Sequence, residues 1–390
     1  MKPKIALVTS YFPSREEPYR GQSTYQALRL LADRADWCGF VPYLRYPDWY
    51  NPKQARYRRM DLRHQPPDLA ARYFEYTTLP LVGRPFNGLL VHRQVRAAVE
   101  AFRPDLILNY WLYPDGYAAV KLARSLDVPV IVGSIGSDLR RIEDRFTRAR
   151  TRWTLEQADA VLTVSGELAR QAVAMGADPK RTKTILNGYD QTVFYPGDRA
   201  AERARLGVAP DAELVLYVGS LIPTKGLIEL MEAFTALAAG RPRLELVCGG
   251  EGPLRQELQG RAEAAGLAGR FRLAGQLAGA AVRNWLVASD VFCLPSYSEG
   301  CPNVVVESLA CGRAVVATDV GGIPELVDER NGVLVPARQA QALAAGLEAA
   351  LSRRWEPETV AATWRRSWHE VAEETWELCQ AVLAAGRRKS

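Results

Sequence analysis

Long apolar runs, paired cysteines and clustered histidines are all missing from this sequence. No apolar run approaches the roughly 18 residues that a membrane-spanning helix needs. Met1-Lys2-Pro3 leads directly into the strand-like residues 5–8, without the apolar core of a signal peptide. We therefore expect a cytoplasmic protein. The three histidines are too far apart in sequence to suggest a metal site, so we expect no bound metal.

The six cysteines form no Cys-x-x-Cys pair, and several lie in apolar surroundings. Such residues are typical of buried thiols in a reducing compartment. Internal repeats and low-complexity segments are absent too. The 390 residues exceed what one hydrophobic core usually supports, so the sequence predicts two domains.

Strands alternate with helices along both halves of the chain, which is typical of a doubly wound parallel sheet of the α/β class. In the first half, strands are predicted at residues 5–8, 105–108, 128–132 and 160–164, and helices at residues 23–31 and 116–126. In the second half, strands are predicted at 214–218, 244–248, 271–273, 291–294, 314–317 and 332–335. The turn-rich residues 187–198 indicate a linker, so we place the domains at 1–190 and 191–363, followed by a helical tail at about 364–390.

Positive charge is concentrated in the first half of the chain. Residues 1–190 contain 29 Lys and Arg against 20 Asp and Glu, whereas the remainder has 21 against 24. Much of the excess is interleaved with aromatic residues at positions 43–76. This segment is either a long solvated loop with a helix or a surface for anionic lipid headgroups or a lipid pyrophosphate acceptor. Nucleic acid ranks last as a partner, because no known binding module accompanies the stretch.

The segment from Ser298 to Gly312 places two carboxylates around the start of a helix. A buried strand ends just before it, and Asn303 is a suitable N-cap for an apolar helix that ends at Gly312. The free backbone N–H groups and the helix dipole there favour an anion, most naturally a phosphate. Glu299 and Glu307 can then accept hydrogen bonds from sugar and ribose hydroxyls. The simpler interpretation is that both glutamates are solvated or cap the helix.

This segment resembles the E-x7-E motif of retaining glycosyltransferases of the GT-B fold, and the surrounding sequence resembles glycosyltransferase family 4. The likeness continues in order through residues 217–226, 247–254, 273–275 and 318–325. It implies two Rossmann-like domains facing across a cleft, with the donor bound by the second domain. It also implies that the last helix, at about 364–390, crosses back to the first domain.

The resemblance assigns roles to particular residues. Glu299 would bind hydroxyls of the transferred sugar, Glu307 those of the ribose, and Lys225 the diphosphate, although a lysine after a turn can also be a surface residue. Glu299, Lys225 and Asp138 are the predicted catalytic residues. The predicted donor-binding residues are Gly21, Gly219, Ser220, Lys225, Gly275, Gln276, Leu277, Glu299, Gly300, Cys301, Pro302, Asn303, Val304 and Glu307.

Two positions depart from the family pattern. Ser220 stands where members usually have Arg, which removes a bidentate phosphate clamp. Ile135 stands where they often have His, so that histidine can neither move a proton nor bind the sugar. Acceptor-side contacts are predicted at Trp111, Tyr113, Gly136 and Asp138. The alternatives are burial in packing for the aromatic residues, helix capping for Asp138 and a simple turn for Gly21.

The resemblance implies a retaining glycosyltransferase that takes a nucleotide-diphosphate sugar and needs no cofactor or metal. The segments at 113–116 and 136–138 look more like exopolysaccharide and teichuronic-type members than sucrose or glycogen enzymes. The expected acceptor is therefore a glycan or a lipid-linked molecule in surface polysaccharide synthesis, at the inner face of the membrane. A catalytically silent nucleotide-sugar sensor and a nucleotide-sugar epimerase of the same fold remain alternatives.

Overall fold

The computed structural model describes residues 2–47, 49–50, 60–80, 82–140, 142 and 144–386. The chain divides into two compact units, one built from Met1–Leu186 with Trp368–Ser390 and the other from Asn187–Ser367. Each unit contains one parallel sheet, with seven strands in the first and six in the second. The expected α/β class with two Rossmann-like domains is therefore confirmed.

The sheet of the first unit has the strand order β3-β2-β1-β4-β5-β6-β7. Its central strands are apolar and buried, as a sheet covered on both sides requires. The order in which the chain adds strands to the sheet reverses between β1 and β4. Parallel sheets bind ligands at such a reversal point. The strands are β1 (Lys4–Val8), β2 (Asp36–Arg45), β3 (Ala71–Thr77), β4 (Leu106–Leu108), β5 (Val130–Ser134), β6 (Ala160–Thr163) and β7 (Thr182–Thr184).

Helices connect these strands, and two of them begin at side-chain caps. Asp144 accepts a hydrogen bond from the backbone N–H of Thr147, and Ser165 accepts one from that of Leu168. The helices are α1 (Gln22–Arg29), α2 (Asn87–Phe102), α3 (Tyr117–Leu126), α4 (Ser137–Arg140), α5 (Arg145–Gln157) and α6 (Gly166–Ala174).

The interpretation of residues 43–76 as a solvated loop with a helix is wrong at both ends of the segment. Strand β2 extends to Arg45 and β3 begins at Ala71. Tyr43, Tyr73 and Tyr76 are buried, because aromatic side chains pack well on a pleated, covered surface. Lys53, Arg56, Tyr57, Arg58 and Arg59, which contributed much of the predicted basic character, lie outside the described residues.

The sheet of the second unit has the strand order β10-β9-β8-β11-β12-β13 and reverses between β8 and β11. The strands are β8 (Glu213–Val218), β9 (Leu244–Gly249), β10 (Phe271–Gly275), β11 (Val291–Leu294), β12 (Ala314–Thr318) and β13 (Gly332–Val335). The helices are α7 (Arg199–Leu206), α8 (Leu227–Ala238), α9 (Arg255–Ala264), α10 (Ala280–Ala288), α11 (Asn303–Ala310), α12 (Ala340–Ser352) and α13 (Pro357–Ala362).

The last helix, α14 (Trp368–Ala385), belongs to the first unit although it follows the second in sequence. Trp368, Trp376 and Cys379 are buried in the same cluster as Trp37 and Leu106. The helix starts at Trp368, whereas the helical tail was predicted from about residue 364. None of the described helices is long and apolar enough to cross a membrane.

Candidate functional site

The loops that follow β8, β9 and β10 are joined by backbone hydrogen bonds at the carboxyl edge of the second sheet. The N–H of Gly219 donates to the Gly249 carbonyl (2.9 Å), and that of Gly250 donates to the Gly275 carbonyl (2.6 Å). The N–H of Leu221 donates to the Glu251 carbonyl (2.9 Å). Three motifs that are far apart in sequence therefore form one continuous surface.

Lys225 ends a short 3-10 turn that lies against the loop after β11. Gly226 follows with a φ of 68°, and a Cβ atom there would overlap the Pro295 carbonyl oxygen. The N–H of Tyr297 donates to the Thr224 carbonyl (3.0 Å). A glycine at position 226 is what lets the two loops approach this closely.

The two loops bring the Lys225 ammonium to the Glu299 carboxylate, with 2.5 Å between Nζ and Oε1. Both side chains are mostly buried, with 26% and 12% exposed. Lys225 follows β8 and Glu299 follows β11, and these two strands are neighbours at the reversal point of the sheet. Residues 74 positions apart in sequence can therefore meet. The sequence predicted both residues as site residues but did not predict their direct contact.

The helix α11 begins at Asn303, four residues after Glu299, and its cap differs from the expected one. Pro302 is the N-cap, and the helix has no side-chain cap. The Asn303 Oδ1 instead accepts a hydrogen bond from Asn187 Nδ2 (2.7 Å), which also donates to the Cys301 carbonyl (2.8 Å). Asn303 was predicted as N-cap and that role is wrong, because Asn187 occupies its side chain. Among the described residues, no partner accepts from the backbone N–H groups of Asn303 and Val304.

Glu307 lies about one turn into α11 and is partly exposed. Burial raises the pKa of its carboxyl to about 7. No described residue donates a hydrogen bond to this carboxylate or forms an ion pair with it. Its oxygens are therefore free to accept hydrogen bonds from a ligand.

The remaining predicted donor residues of the second unit lie in the same set of loops, whereas Gly21 lies in the first unit. Cys301 is buried and accepts a bond from the Asn187 N–H (3.4 Å), and burial raises the pKa of its thiol to about 12. Ser220 is exposed, and its carbonyl accepts from the Tyr217 hydroxyl (2.9 Å). Gln276 is exposed, whereas Leu277 packs on the open face of Gly249. Gly300 lies between Glu299 and Cys301 in the loop that enters α11.

In the first unit, the loop after β1 is held tightly at Gly21. This residue precedes α1 with a φ of 65°, and a Cβ atom there would overlap the Tyr11 carbonyl oxygen. The structure thus gives a local reason for glycine at this position.

Asp138 is buried and fully engaged within the first unit. Its carboxylate accepts hydrogen bonds from the Ser134 hydroxyl (2.9 Å), the Gly136 N–H (3.0 Å) and the Leu112 N–H (3.2 Å). Burial raises the pKa of this carboxyl. These hydrogen bonds connect the loop after β5 to the loop after β4. The bond from the Gly136 N–H to Asp138 holds Gly136 in the first of these loops. Ile135 packs against the hydrophobic core.

Tyr113 is not positioned to stack on a sugar. Only 7% of it is exposed, and its hydroxyl donates to the Arg84 and Pro85 carbonyls (2.8 Å each). Its prediction as an acceptor contact is therefore wrong, because the ring fills the space between α2, α3 and α5. Trp111 is partly exposed and stacks on Tyr11 with 4.0 Å between ring centroids.

Trp111 and Tyr11 line a cavity of about 180 Å³ at the reversal point of the first sheet. Arg20 and Asn87 also line it, and both carry a buried polar atom without a hydrogen bond, Nε and Oδ1 respectively. Neither residue was predicted from the sequence. No local pattern marks them, since they lie 67 positions apart and meet only through the sheet topology.

Asp115 lies beneath this cavity and is also buried. It accepts a hydrogen bond from the Ser10 N–H (2.5 Å), and burial raises its carboxyl pKa to about 7. Within the part of the chain that the structure describes, no group of three or more His, Cys, Asp or Glu residues could hold a metal ion.

Two family models match the sequence, one for each unit. The glycosyl transferase 4-like domain matches residues 22–188, and glycosyl transferases group 1 matches residues 198–366. Over 406 aligned residues, the chain is 30% identical to TuaC of Bacillus subtilis (strain 168), which is assigned to teichuronic acid biosynthesis as a glycosyltransferase. That alignment covers 98% of this chain and 95% of TuaC.

Solved structures match the fold over almost the whole chain. Anabaena Alr3699/HepE in complex with UDP is 19% identical, with a TM-score of 0.76 over 98% of this chain and all of its own. The sucrose-phosphate synthase of Thermosynechococcus elongatus is 21% identical, with a TM-score of 0.78 over 99% of this chain and all of its own. Together with the two family models and the full-length relative, these matches show that the chain belongs to the family 4 glycosyltransferases of the GT-B fold.

Proposed function

We propose that this glycosyltransferase moves a sugar from a nucleotide-diphosphate donor, with retention of anomeric configuration, to a glycan or lipid-linked acceptor in surface polysaccharide synthesis. The observation that carries the proposal is the Lys225–Glu299 pair at the start of α11. It combines one fixed cation, one carboxylate and free backbone N–H groups within the second unit. A sugar diphosphate needs all three.

The diphosphate leaving group is the first ligand part that this arrangement suits. Negative charge grows on it as the anomeric bond breaks, so fixed positive groups lower the barrier more than they stabilise bound substrate. Lys225 and the N–H groups of Asn303 and Val304 supply that charge. Because the protein provides it, we expect transfer to continue in the presence of EDTA.

The two glutamates would then hold the two sugars of the donor. Glu299 is already fixed by Lys225, which suits it to the hydroxyls of the transferred sugar. Glu307 has no protein partner among the described residues, so it can accept hydrogen bonds from both ribose hydroxyls. The backbone from Gly275 to Leu277, at the end of β10, would contact the base.

Retention is proposed through attack from the same side as the departing diphosphate, which accepts the acceptor proton. This route needs no protein nucleophile, and Glu299 is tied to Lys225 rather than free to attack. It also needs no histidine at position 135, where Ile135 packs on the core. A carboxylate pair flanking the bond, as in retaining glycosidases, is not required.

The cellular setting is proposed from the thiols and from the relatives. All six cysteines are unpaired and buried, as expected in a reducing compartment. The assignment of TuaC to teichuronic acid biosynthesis favours a surface polysaccharide. HepE was solved with UDP, so UDP is the first nucleotide to test.

The test separates the roles of the two glutamates. Glu307→Ala should weaken UDP binding at least about tenfold, because the ribose contacts are lost, while Glu299→Ala should lower turnover with a smaller effect on UDP affinity. Calorimetry measures the first and a radiolabelled-sugar transfer assay the second. Glu232→Ala, an exposed change in the same unit, is the control. Equal loss of UDP affinity in both variants would contradict the assigned roles, and no transfer from any donor would favour the silent sensor.

A further inference from the structure

Apolar side chains cluster on the surface of the first unit, around the turn that leads from β3 into α2. Exposed fractions are 64% for Val82, 58% for Phe86, 53% for Leu79 and 40% for Leu89. Phe146, at the start of α5, is 50% exposed. We call these five residues the apolar patch. Contiguous apolar groups of this kind mark an interaction surface.

The backbone beneath the patch is held in place. The N–H of Gly83 donates to the Leu79 carbonyl (3.0 Å), and that of Phe86 donates to the Gly83 carbonyl (2.9 Å). The buried Tyr113 hydroxyl donates to the carbonyls of Arg84 and Pro85. The apolar tips are therefore presented outward from a fixed support.

The same support connects the turn to α5. Arg84 lies 3.9 Å from the Asp144 carboxylate, and Arg150 donates to the Tyr113 hydroxyl (3.2 Å). Asp144 caps α5, whose second residue is Phe146. Phe146 is thus brought to the same side of the unit as the turn.

Exposed arginines surround the patch. On α2, Arg93 and Arg96 continue the stripe that begins with Phe86 and Leu89, since these positions fall three, four and three residues apart. On α5, Arg145 and Arg148 are exposed beside Phe146. The nearby acids Asp144 and Glu100 pair with Arg84 and Arg96. The surface therefore joins apolar tips to a net positive rim, which complements an anionic lipid interface.

The start of α2 connects the patch to the cavity at the reversal point of the first sheet. Asn87 lines that cavity, and Phe86 immediately precedes it in the chain. A molecule held at a membrane by a lipid tail would meet the cavity from the side of the patch. A site for a soluble acceptor alone needs no such apolar border.

From these contacts we propose that the apolar patch and its arginines dock the first unit on an anionic lipid bilayer. Apolar tips enter the headgroup region, while Arg93, Arg145 and Arg148 contact lipid phosphates. This surface differs from the basic stretch at 43–76, whose described ends are partly buried in β2 and β3. Only the delivery of a lipid-linked acceptor rests on the proposed function, and binding to lipid is measured without donor or acceptor.

The test is sedimentation of the full chain with sucrose-loaded vesicles, made of phosphatidylcholine alone or with about a third phosphatidylglycerol. The double change Val82→Asp with Phe86→Asp should lower the partition coefficient on the anionic vesicles at least about tenfold, because it removes apolar contact and adds repulsion. Arg148→Glu should lower it less. Tyr195→Asp and Arg243→Glu, exposed positions of the second unit, are the matched controls and should leave binding unchanged.

Thermal unfolding of each variant shows whether the fold is kept, and Phe86→Ser is a milder second variant. Equal binding by wild type and the patch variants would overturn the proposal, as would no binding to anionic vesicles. A dimer in vesicle-free solution that the patch variants abolish would also overturn it, since a second copy would then cover the patch. Binding that is lost only in the patch and Arg148 variants, and that weakens with salt, supports it.

Discussion

At the scale of single residues, Glu307 is a carboxyl without a hydrogen-bond or ion-pair partner among the described residues. Its carboxyl has a pKa of about 7 when folded and an ordinary value of 4.5. Between these values the folded chain holds a proton that the unfolded chain has released, so this residue's contribution to stability falls as the pH rises. Glu307→Gln should therefore raise the unfolding midpoint at about pH 8 and leave it unchanged near pH 4.

Differential scanning fluorimetry across this pH range measures the effect. Glu232→Gln removes an exposed carboxylate from the same unit and should leave the pH profile unaltered. A Glu307→Gln profile parallel to that of the wild type would show that the carboxyl is not held in a low-dielectric site.

Ser220 offers a gain-of-affinity prediction. It is exposed, and only its backbone carbonyl takes part in the bond to Tyr217. Ser220→Arg should therefore fold normally and add a charged, bidentate donor for the diphosphate, lowering the UDP dissociation constant about tenfold. Titration calorimetry measures it. Ser220→Gln, which is long but neutral, is the control, and an equal gain from Gln would mean that charge is not the cause.

The sequence located some of these residues better than others. Lys225 and Glu299 could each be predicted as site residues because each follows a strand of the same sheet, but their direct contact was not predicted. The predicted capping role of Asn303 is wrong, and the sequence could not show this, since Asn187 binds its side chain from more than a hundred positions away. Tyr113 looked like a ligand contact because it follows a strand end, but its hydroxyl finds two backbone carbonyls.

At the scale of elements, the turn at Gly226 joins two loops of the site. Gly226→Ala should unfold the second unit at a lower temperature and weaken UDP binding, because the new methyl group would displace the Pro295 loop and with it Glu299. Gly207 is the matched control, since its φ is 64° and nothing lies within 4 Å of the added Cβ. Gly207→Ala should cost only the backbone strain, about 1 kcal/mol.

Fluorimetry with and without UDP compares the two variants. The same loss of midpoint in both would show that the positive φ, rather than the contact with Pro295, is what position 226 requires. Retention of full UDP affinity by Gly226→Ala would separate the turn from the site.

Two of the elements that the sequence analysis missed have little apolar periodicity. Helix α5 buries Thr147, Thr151 and Thr154 on its inner face, and four of its 13 residues are arginines. A threonine stripe carries little apolar signal, so the periodicity of this helix is hidden. The edge strand β3 buries Ala71, Tyr73 and Tyr76 and carries the charged Arg72 and Glu75 between them, which makes it look like a loop.

At the scale of the whole molecule, two parallel sheets followed from the alternation of strands and helices. The residue at which the second unit ends could not be predicted, because the helical pattern of the tail continues through Trp364. In the structure Trp364 lies in the second unit, whereas Trp368 and Trp376 lie in the core of the first. Only three-dimensional packing distinguishes these tryptophans.

This division predicts separate effects on the two units. Trp376→Ala should destabilise the first unit by about 3–5 kcal/mol through the cavity that it leaves, without lowering the unfolding transition that UDP raises. Trp364→Ala should instead affect the UDP-dependent transition. Calorimetric scans with and without UDP resolve the two, and a Trp376→Ala variant that lowers only the UDP-dependent transition would contradict the assignment.

The position of α14 also sets an order of events during translation. Residues 187–367 form one uninterrupted stretch, so the second unit is complete when its last residue leaves the ribosome. The first unit, although its synthesis begins first, lacks the helix that packs with Trp37 and Leu31 until residues 368–385 emerge. The nascent chain therefore exposes an unfinished core throughout most of its synthesis, and that surface is where a ribosome-associated chaperone would bind.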